Sequence, residues 1–341
     1  MKKISLSNIS KLYEVISREY DLYAPIKKAG KVNFAKWADG EEVVFNAQTV
    51  RSPKDMFFPQ TMDLYSLKMQ GKTVEVIDDR SETAPFVVFG VKPCDCKSFE
   101  VLDRVFLAEP VDTYYQNRRE AGIIVGLGCS APSESCMCAS FGVDNTEPVA
   151  DVKSYIVDGE MYLDAITDKG EKLLSLIAGL LVDADSTKVD AQKAKTKEIN
   201  KKLPLQNLDM TRFTADNLNE IFNEEKWEGL SEACLACGTC TYVCPTCQCY
   251  DIRDFKTNDG VKRFRCWDSC MYSDFTKMSA GQPRNTQMQR FRQRFMHKLV
   301  YFPANNDGMY SCVGCGRCAT KCPISMNIAK VIKKLGGKHN D

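Results

Sequence analysis

The sequence predicts an α+β protein, in which an N-terminal mixed α/β domain precedes a smaller domain organised around cysteine residues. Two observations lead to this prediction. Apolar residues in the segment 1–205 recur at helical spacing in some stretches and at strand-like spacing in others. Cysteines at short fixed intervals dominate the segment 225–335, and residues 206–224 are predicted to link the two domains. A chain of 341 residues is long enough for two such domains, each with its own core.

The composition is that of a globular protein and gives no sign of a nucleic-acid or membrane role. The chain is 44% hydrophobic and 27% charged, and its formal net charge is +1. Its longest apolar run, residues 173–182, is about half the length of a helix that spans a bilayer. Seventeen cysteines without a recognisable signal peptide indicate metal binding in a reducing compartment rather than disulfides. We therefore expect a cytoplasmic protein from an anaerobic organism.

The elements of the first domain follow from the spacing of its apolar residues. Helices are predicted over residues 9–20, 99–107 and 173–182. Strands are predicted over residues 42–45, 74–77, 85–90, 123–126 and 161–163. The lysine-rich stretch 183–202 is predicted to be an exposed helix or a linker. The strands at 85–90 and 123–126 look fully buried, and each ends in a loop that carries cysteine.

A cysteine run of the form C-x2-C-x2-C-x3-C-P occurs twice in the second domain. The first copy is Cys234, Cys237, Cys240 and Cys244-Pro245, and the second is Cys312, Cys315, Cys318 and Cys322-Pro323. This is the run of bacterial ferredoxins, in which three cysteines hold one [4Fe–4S] cluster and the fourth ligates the other cluster. The expected sets are Cys234, Cys237, Cys240 and Cys322 for cluster 1, and Cys312, Cys315, Cys318 and Cys244 for cluster 2. Zinc is the alternative occupant. The segment is thus predicted to be a bacterial dicluster-ferredoxin-like domain with a long insertion between its motifs.

A third group of cysteines lies in the first domain, after the two buried strands. Its members are Cys94, Cys129, Cys136 and Cys138. If the strands are parallel, their loops meet at one edge of the sheet, where four thiolates could hold a third [4Fe–4S] cluster. The alternative is that these are ordinary buried cysteines. Spacing alone does not decide whether Cys94 or its neighbour Cys96 would be the cluster ligand.

The insertion and the second motif carry further candidates. Cys247, Cys249, Cys266 and Cys270 form either a fourth metal or thiol site or a set of packing cysteines beside the clusters. Basic and apolar residues alternate over 284–302, which predicts an amphipathic helix that either packs on the domain or docks an acidic partner. Arg317 and Lys321 are expected to tune a cluster potential, unless both are solvated and screened.

Six segments of the chain resemble the iron–sulfur subunit of anaerobic sulfite reductase and, equally, the beta subunit of cytoplasmic sulfhydrogenases. These segments are GVKPCDCKSFEVLDRVF, DTYYQNRR, GLGCSAPSESCMCASFG, CLACGTCTYVCPTCQCYDIRDF, CWDSCMYSDF and SCVGCGRCATKCPISMN. The resemblance covers nearly the whole chain. It implies that Cys94, Cys129, Cys136 and Cys138 hold a third cluster, so that three [4Fe–4S] clusters are expected. Cys96 departs from the family pattern and is expected to lie outside the cluster.

The resemblance implies a non-catalytic electron-transfer subunit of a multi-subunit oxidoreductase. Its partners would be a flavoprotein subunit with FAD, NAD(P)H and a [2Fe–2S] cluster, and a terminal catalytic subunit. That terminal subunit would be a sirohaem sulfite reductase or a nickel–iron hydrogenase. The alternative is an enzyme that reduces a thiol or sulfur compound at Cys247, Cys249 and Cys270. No catalytic acid–base pair is apparent in the sequence.

Overall fold

The computed structural model describes residues 1–78 and 83–336. Its strands, in chain order, are β1 (Lys2–Ser5), β2 (Asp21–Lys28), β3 (Lys31–Lys36), β4 (Thr61–Gln70), β5 (Thr73–Asp78), β6 (Phe86–Val91), β7 (Gly122–Leu127), β8 (Val152–Val157), β9 (Glu160–Ala165), β10 (Val182–Asp183), β11 (Tyr250–Lys256) and β12 (Gly260–Trp267). They form an eight-stranded sheet of order β10-β1-β9-β8-β7-β6-β2-β3 and a four-stranded sheet of order β11-β12-β4-β5. The protein is therefore of mixed α and β structure.

The helices flank the large sheet and make up most of the C-terminal part. They are α1 (Ile9–Ser17), α2 (Lys54–Phe57), α3 (Pro93–Phe106), α4 (Thr113–Ala121), α5 (Asp168–Leu176), α6 (Thr187–Lys201), α7 (Leu218–Phe222), α8 (Lys226–Ser231), α9 (Thr239–Tyr242), α10 (Gln287–Met296), α11 (Phe302–Ala304), α12 (Arg317–Lys321) and α13 (Ile328–Leu335). A π-helical turn, His297–Tyr301, joins α10 to α11. In the part of the chain that the structure describes, no helix is both long and apolar enough to cross a membrane.

The centre of the large sheet is parallel, and this arrangement places the third cysteine group. Strands β2, β6, β7 and β8 run parallel to one another. Every residue of β6 and β7 is buried, which explains their nearly continuous apolar sequences. Cys94 lies in the first turn of α3, directly after β6, and Cys129 lies two residues beyond β7. Because parallel strands end at the same edge, both cysteines come to that edge, as the sequence predicted.

Several predicted elements differ from the observed ones. Residues 42–45 form no strand; only Val43 makes a single bridge, to Ile26. The helix expected at 99–107 already begins at Pro93, because proline suits the first turn of a helix. The apolar run 173–182 is divided between the end of α5 and strand β10, which pairs with Lys2 and Lys3 at the edge of the sheet.

The four-stranded sheet joins one hairpin from each part of the chain. Strand β12, in the insertion between the cysteine motifs, pairs antiparallel with β4 from the first domain. At the base of this sheet Trp267 stacks on Phe58, with ring centroids 5.9 Å apart. The sequence did not predict the hairpin β11–β12, because β4, the strand that pairs with β12, lies nearly two hundred residues away in the sequence.

The C-terminal part has its own apolar core. Trp227 of α8 packs against Phe291 and Phe295 of α10, and the buried face of α13 closes the core. Helix α10 begins at a capping box. The side chain of Thr286 accepts a hydrogen bond from the backbone N–H of Gln289, and the side chain of Gln289 accepts one from the backbone N–H of Thr286. The apolar side chains predicted for this helix thus face the core. The position of α10 also determines where its cations lie.

Candidate iron–sulfur centres

Four cysteines from the two motifs line a cavity beside α9. They are Cys234, Cys237 and Cys240 from the first motif and Cys322 from the second. The cavity, including its opening to solvent, encloses about 430 Å³. Gly238 turns the loop into α9 with φ +72°, and a Cβ at this position would lie 2.5 Å from the hydroxyl oxygen of Tyr272. Tyr272 in turn donates a hydrogen bond of 3.3 Å to the carbonyl of Cys237.

A second cavity of about 360 Å³ is lined by the complementary set of cysteines. They are Cys312, Cys315 and Cys318 from the second motif and Cys244 from the first. Gly314 and Gly316 both have positive φ, and a Cβ at Gly314 would lie 2.3 Å from the carbonyl oxygen of Met137. The grouping of the cysteines is the crossed one expected of a ferredoxin-type pair. Each fourth cysteine lies in the cavity of the other motif.

Two buried cations line these cavities. Arg294 of α10 contacts both of them, is 3% exposed and donates a hydrogen bond of 3.3 Å to the carbonyl of Cys240. Its Nε–H is buried and has no hydrogen-bond partner within residues 1–78 and 83–336. Lys298, on the π-helical turn, lines the second cavity and donates to Thr246 Oγ1 at 2.9 Å and to the carbonyl of Ser311 at 2.8 Å. The insertion helix therefore packs on the cluster domain, which is one of the two predicted alternatives, and two cations of this segment are directed inward.

This donor set fits an iron–sulfur cluster. Four thiolates around one inorganic cubane carry net negative charge, which a buried arginine with an unpaired N–H and a buried lysine would offset. Among residues 1–78 and 83–336, no three cysteine, histidine or carboxylate side chains converge at the spacing of a single metal ion. The cysteines lie instead around the walls of the two cavities. When bound there, such clusters accept and donate single electrons.

The third cysteine group packs directly against the second cavity. Cys94, Cys136 and Cys138 share a small apolar cluster with Cys315 and Val313. The loops also meet through their backbones, because the N–H of Met137 donates to the carbonyl of Gly314 at 2.8 Å. A hydrogen bond from the Cys138 thiol lowers the pKa of Cys136 to about 6, whereas burial raises that of Cys129. The structure thus brings the four cysteines to the sheet edge beside the proposed cluster 2.

A buried ion pair joins the third group to the second motif. Arg317 and Asp95 are each 1% exposed and are linked by two hydrogen bonds, from Nη1 at 2.5 Å and from Nη2 at 2.6 Å. Thr49 accepts two further hydrogen bonds from the guanidinium, through its carbonyl and its hydroxyl. Arg317 is therefore not solvated, whereas Lys321 is exposed. Sequence reasoning missed Asp95 and Thr49, because nothing local marks them as the partners of Arg317.

Comparison with known proteins agrees with this geometry. Residues 233–326 match the family model of the 4Fe-4S dicluster domain. Over 321 residues the chain is 29% identical to sulfhydrogenase 2 subunit beta of Pyrococcus furiosus, and the alignment covers 92% of each chain. Residues 233–326 therefore form a 4Fe-4S dicluster domain, and the chain is similar over nearly its whole length to a sulfhydrogenase beta subunit. No solved structure matches it.

In this dicluster protein burial in an apolar core raises the pKa of the Cys96 thiol, and the neighbouring Asp95 and Cys129 raise it further. The Cys96 thiol donates to the carbonyl of Val91 at 3.5 Å and lies in the apolar core beneath β6 and β7, with Phe57 and Phe99. A Cβ at Gly126 would come within 3.1 Å of its sulfur. This position explains how Cys96 can depart from the family pattern without joining a cluster.

We expect the change Cys94→Ser to remove about four iron per chain and Cys96→Ser to remove none. Serine at 94 takes away a thiol that packs beside Cys136 and Cys138, whereas serine at 96 replaces a thiol in an apolar core. Iron and sulfide analysis of the two anaerobically purified variants measures this difference. Loss of iron from the Cys96 variant alone would show that the ligand assignment is wrong.

The four cysteines after the first motif do not form one group. The thiol of Cys247 lowers the pKa of Cys244, and the thiol of Cys270 lowers that of Cys249. Cys266 lies on β12 opposite Thr61, and its charged neighbours are Arg253, Asp251 and Asp268 rather than thiols. A fourth cubane at these four positions therefore has no support from the described geometry.

Proposed function

We propose that this dicluster protein is the electron-transfer subunit of a hydrogenase or sulfhydrogenase-type complex and carries three [4Fe–4S] clusters. The ligands would be Cys234, Cys237, Cys240 and Cys322 for cluster 1, Cys312, Cys315, Cys318 and Cys244 for cluster 2, and Cys94, Cys129, Cys136 and Cys138 for cluster 3. The observation that carries the proposal is the contact of three cysteine groups in one row, with the second motif in the middle.

Both ends of this row approach the surface. At cluster 1, Cys237 is exposed and Leu235 is 64% exposed. At cluster 3, the loop between Cys129 and Cys136 is largely exposed. Single electrons would enter at one end, pass through cluster 2 and leave at the other. The P. furiosus relative is a subunit of a sulfhydrogenase, and a terminal partner of that hydrogenase type fits this arrangement.

The proposed partners are those expected from the resemblance. One end would face a flavoprotein subunit that binds FAD, NAD(P)H and a [2Fe–2S] cluster, and the other a terminal catalytic subunit of the nickel–iron hydrogenase or sulfite reductase type. We place this complex in the cytoplasm. Anaerobic co-purification of the tagged chain with its neighbours, followed by flavin, nickel and sirohaem analysis, identifies the partners. Recovery of the chain with none of these cofactors would contradict the proposal.

Anaerobic reconstitution is expected to give about twelve iron and about twelve sulfide per chain. About eight of each would eliminate cluster 3, and about sixteen would restore a site among Cys247, Cys249, Cys266 and Cys270. The reconstituted chain alone should not turn over sulfite, polysulfide or a small disulfide with reduced viologen as donor. Turnover by the isolated chain that is lost in the variant Cys249→Ser would favour the alternative, a thiol- or sulfur-reducing enzyme.

A further inference from the structure

Cys249 and Cys270 are held together by the hairpin that lies between the two motifs. Cys249 directly precedes β11, and Cys270 follows the end of β12 by three residues. Tyr250 pairs with Trp267, and the N–H of Asp268 donates to the carbonyl of Cys249 at 3.0 Å. The loop that carries Cys270 therefore folds back onto Cys249. The sulfur of Cys249 therefore lies near the thiol and the backbone N–H of Cys270, and both lower its pKa.

This pair lies at the end of a row of sulfur atoms that begins at cluster 2. The thiol of Cys247 lies close enough to Cys244, a proposed ligand, to lower its pKa, and Cys247 also interacts with Cys249. Lys54 fixes the middle of this row, because its Nζ is buried against the ring of Trp267 and donates to the carbonyl of Cys247 at 2.7 Å. The electron-transfer role proposed above makes no use of Cys249 or Cys270.

The two thiols have opposite acidities, as in a pair that undergoes thiol–disulfide exchange. The hydrogen bond from the Cys270 thiol lowers the pKa of Cys249 to about 7, so a large fraction is thiolate near neutral pH. That same hydrogen bond, together with burial, raises the pKa of Cys270. Both residues are partly exposed.

We propose that Cys249 and Cys270 are a redox-active dithiol that closes to an intrachain disulfide and exchanges electrons with cluster 2. Closing forms one S–S bond, breaks two S–H bonds and releases two protons and two electrons. The protons pass to solvent, and the two electrons pass one at a time to cluster 2, which keeps one and passes the other on to cluster 1 or cluster 3. Opening of the disulfide is the reverse. The inference rests on the proposed function only in that cluster 2 and a neighbouring cluster must be present to take the two electrons.

The first test is alkylation of the anaerobically purified holoprotein, equilibrated in buffers of reduced and oxidised dithiothreitol. Cys249 and Cys270 are expected to lose reactivity towards an alkylating reagent together, with a two-electron dependence on the buffer potential. Cys266→Ser is the matched control and should behave as the unaltered chain, whereas Cys249→Ser should leave Cys270 reactive throughout. Full reactivity of both thiols in every buffer would overturn the proposal. So would protection of both thiols in the reduced protein together with four additional iron.

The second test counts electrons in the same holoprotein. Coulometric reduction with a one-electron viologen mediator is expected to take up two electrons more in the oxidised unaltered chain than in Cys249→Ser. The control Cys266→Ser should take up as many as the unaltered chain. If all three proteins took up the same number of electrons, the proposal of a redox-active dithiol would be wrong. Iron content and the cluster EPR signals are measured on the same samples. They test the proposed electron-transfer clusters independently of the dithiol.

Discussion

The change Arg317→Gln is expected to lower the reduction potentials of clusters 2 and 3 and to destabilise the fold by about 3–5 kcal/mol. Glutamine leaves the carboxylate of Asp95 buried without its cation, and Asp95 lies next to Cys94, a proposed ligand of cluster 3. A buried charge that loses its partner keeps its desolvation cost without the compensating attraction. The uncompensated negative charge also disfavours addition of an electron to either neighbouring cluster.

The sign of the shift separates this electrostatic effect from a structural one. A unit charge at roughly 8 Å, with an effective dielectric constant near 20, is worth about 2 kcal/mol. For a one-electron couple this is on the order of 90 mV. Asp95→Asn should raise the same potentials, and the double variant Arg317→Gln with Asp95→Asn should return them towards those of the unaltered protein. Lys321→Gln is the exposed control and should change little, because solvent screens its charge.

EPR-monitored redox titration gives these potentials, and the rate of iron release on anaerobic heating reports the stability. Iron analysis of each variant before the titration ensures that all clusters are present. Shifts in the same direction for Arg317→Gln and Asp95→Asn would mean that loop displacement, not charge, controls the potentials. Both charges are 1% exposed, so screening by solvent cannot hide the effect.

The parts of the site that sequence could predict are those determined by local spacing. The crossed cysteine motifs and the buried strands β6 and β7 follow from short patterns, because a cubane-binding loop and a parallel central strand each impose their residues locally. The partner of Arg317 could not be predicted in this way. Asp95 is more than two hundred residues away, and an aspartate between two cysteines gives no local sign that it will be buried against a guanidinium.

The insertion helix shows a different limit of sequence reasoning. Basic and apolar residues alternate along it, and a helical projection treats its cations as one solvent-facing set. The π-helical turn after Met296 adds a residue to one turn and changes the direction of the side chains that follow. Arg294 precedes this turn and lies four residues before Lys298, so the two cations share the face that reaches the cavities, while Arg292 stacks on Phe222 with its guanidinium carbon 3.6 Å from the ring centre. The pattern of basic and apolar residues does not reveal that this face borders cysteine-lined cavities.

Replacing Arg294 by glutamine is expected to lower the potentials of clusters 1 and 2 together. Arg294 is the cation that lines both cavities among the described residues, and its buried Nε–H has no partner other than what the cavities hold. Each cluster loses an attraction of about 2 kcal/mol if the charge lies roughly 8 Å away at a dielectric constant near 20. The corresponding shift is on the order of 90 mV per cluster.

Variants of neighbouring cations on the same segment provide the controls. Lys298→Gln should lower the potential of cluster 2 alone, since Lys298 lines only the second cavity. Arg292→Gln should leave both potentials unchanged, because Arg292 packs on Phe222 and donates to its carbonyl. EPR-monitored titrations of the three variants, each with full iron content, test this pattern. If Arg294→Gln shifted the reduction potential of one cluster only, the arginine would act on that cluster alone. The potentials of clusters 1 and 2 would then be set by different residues.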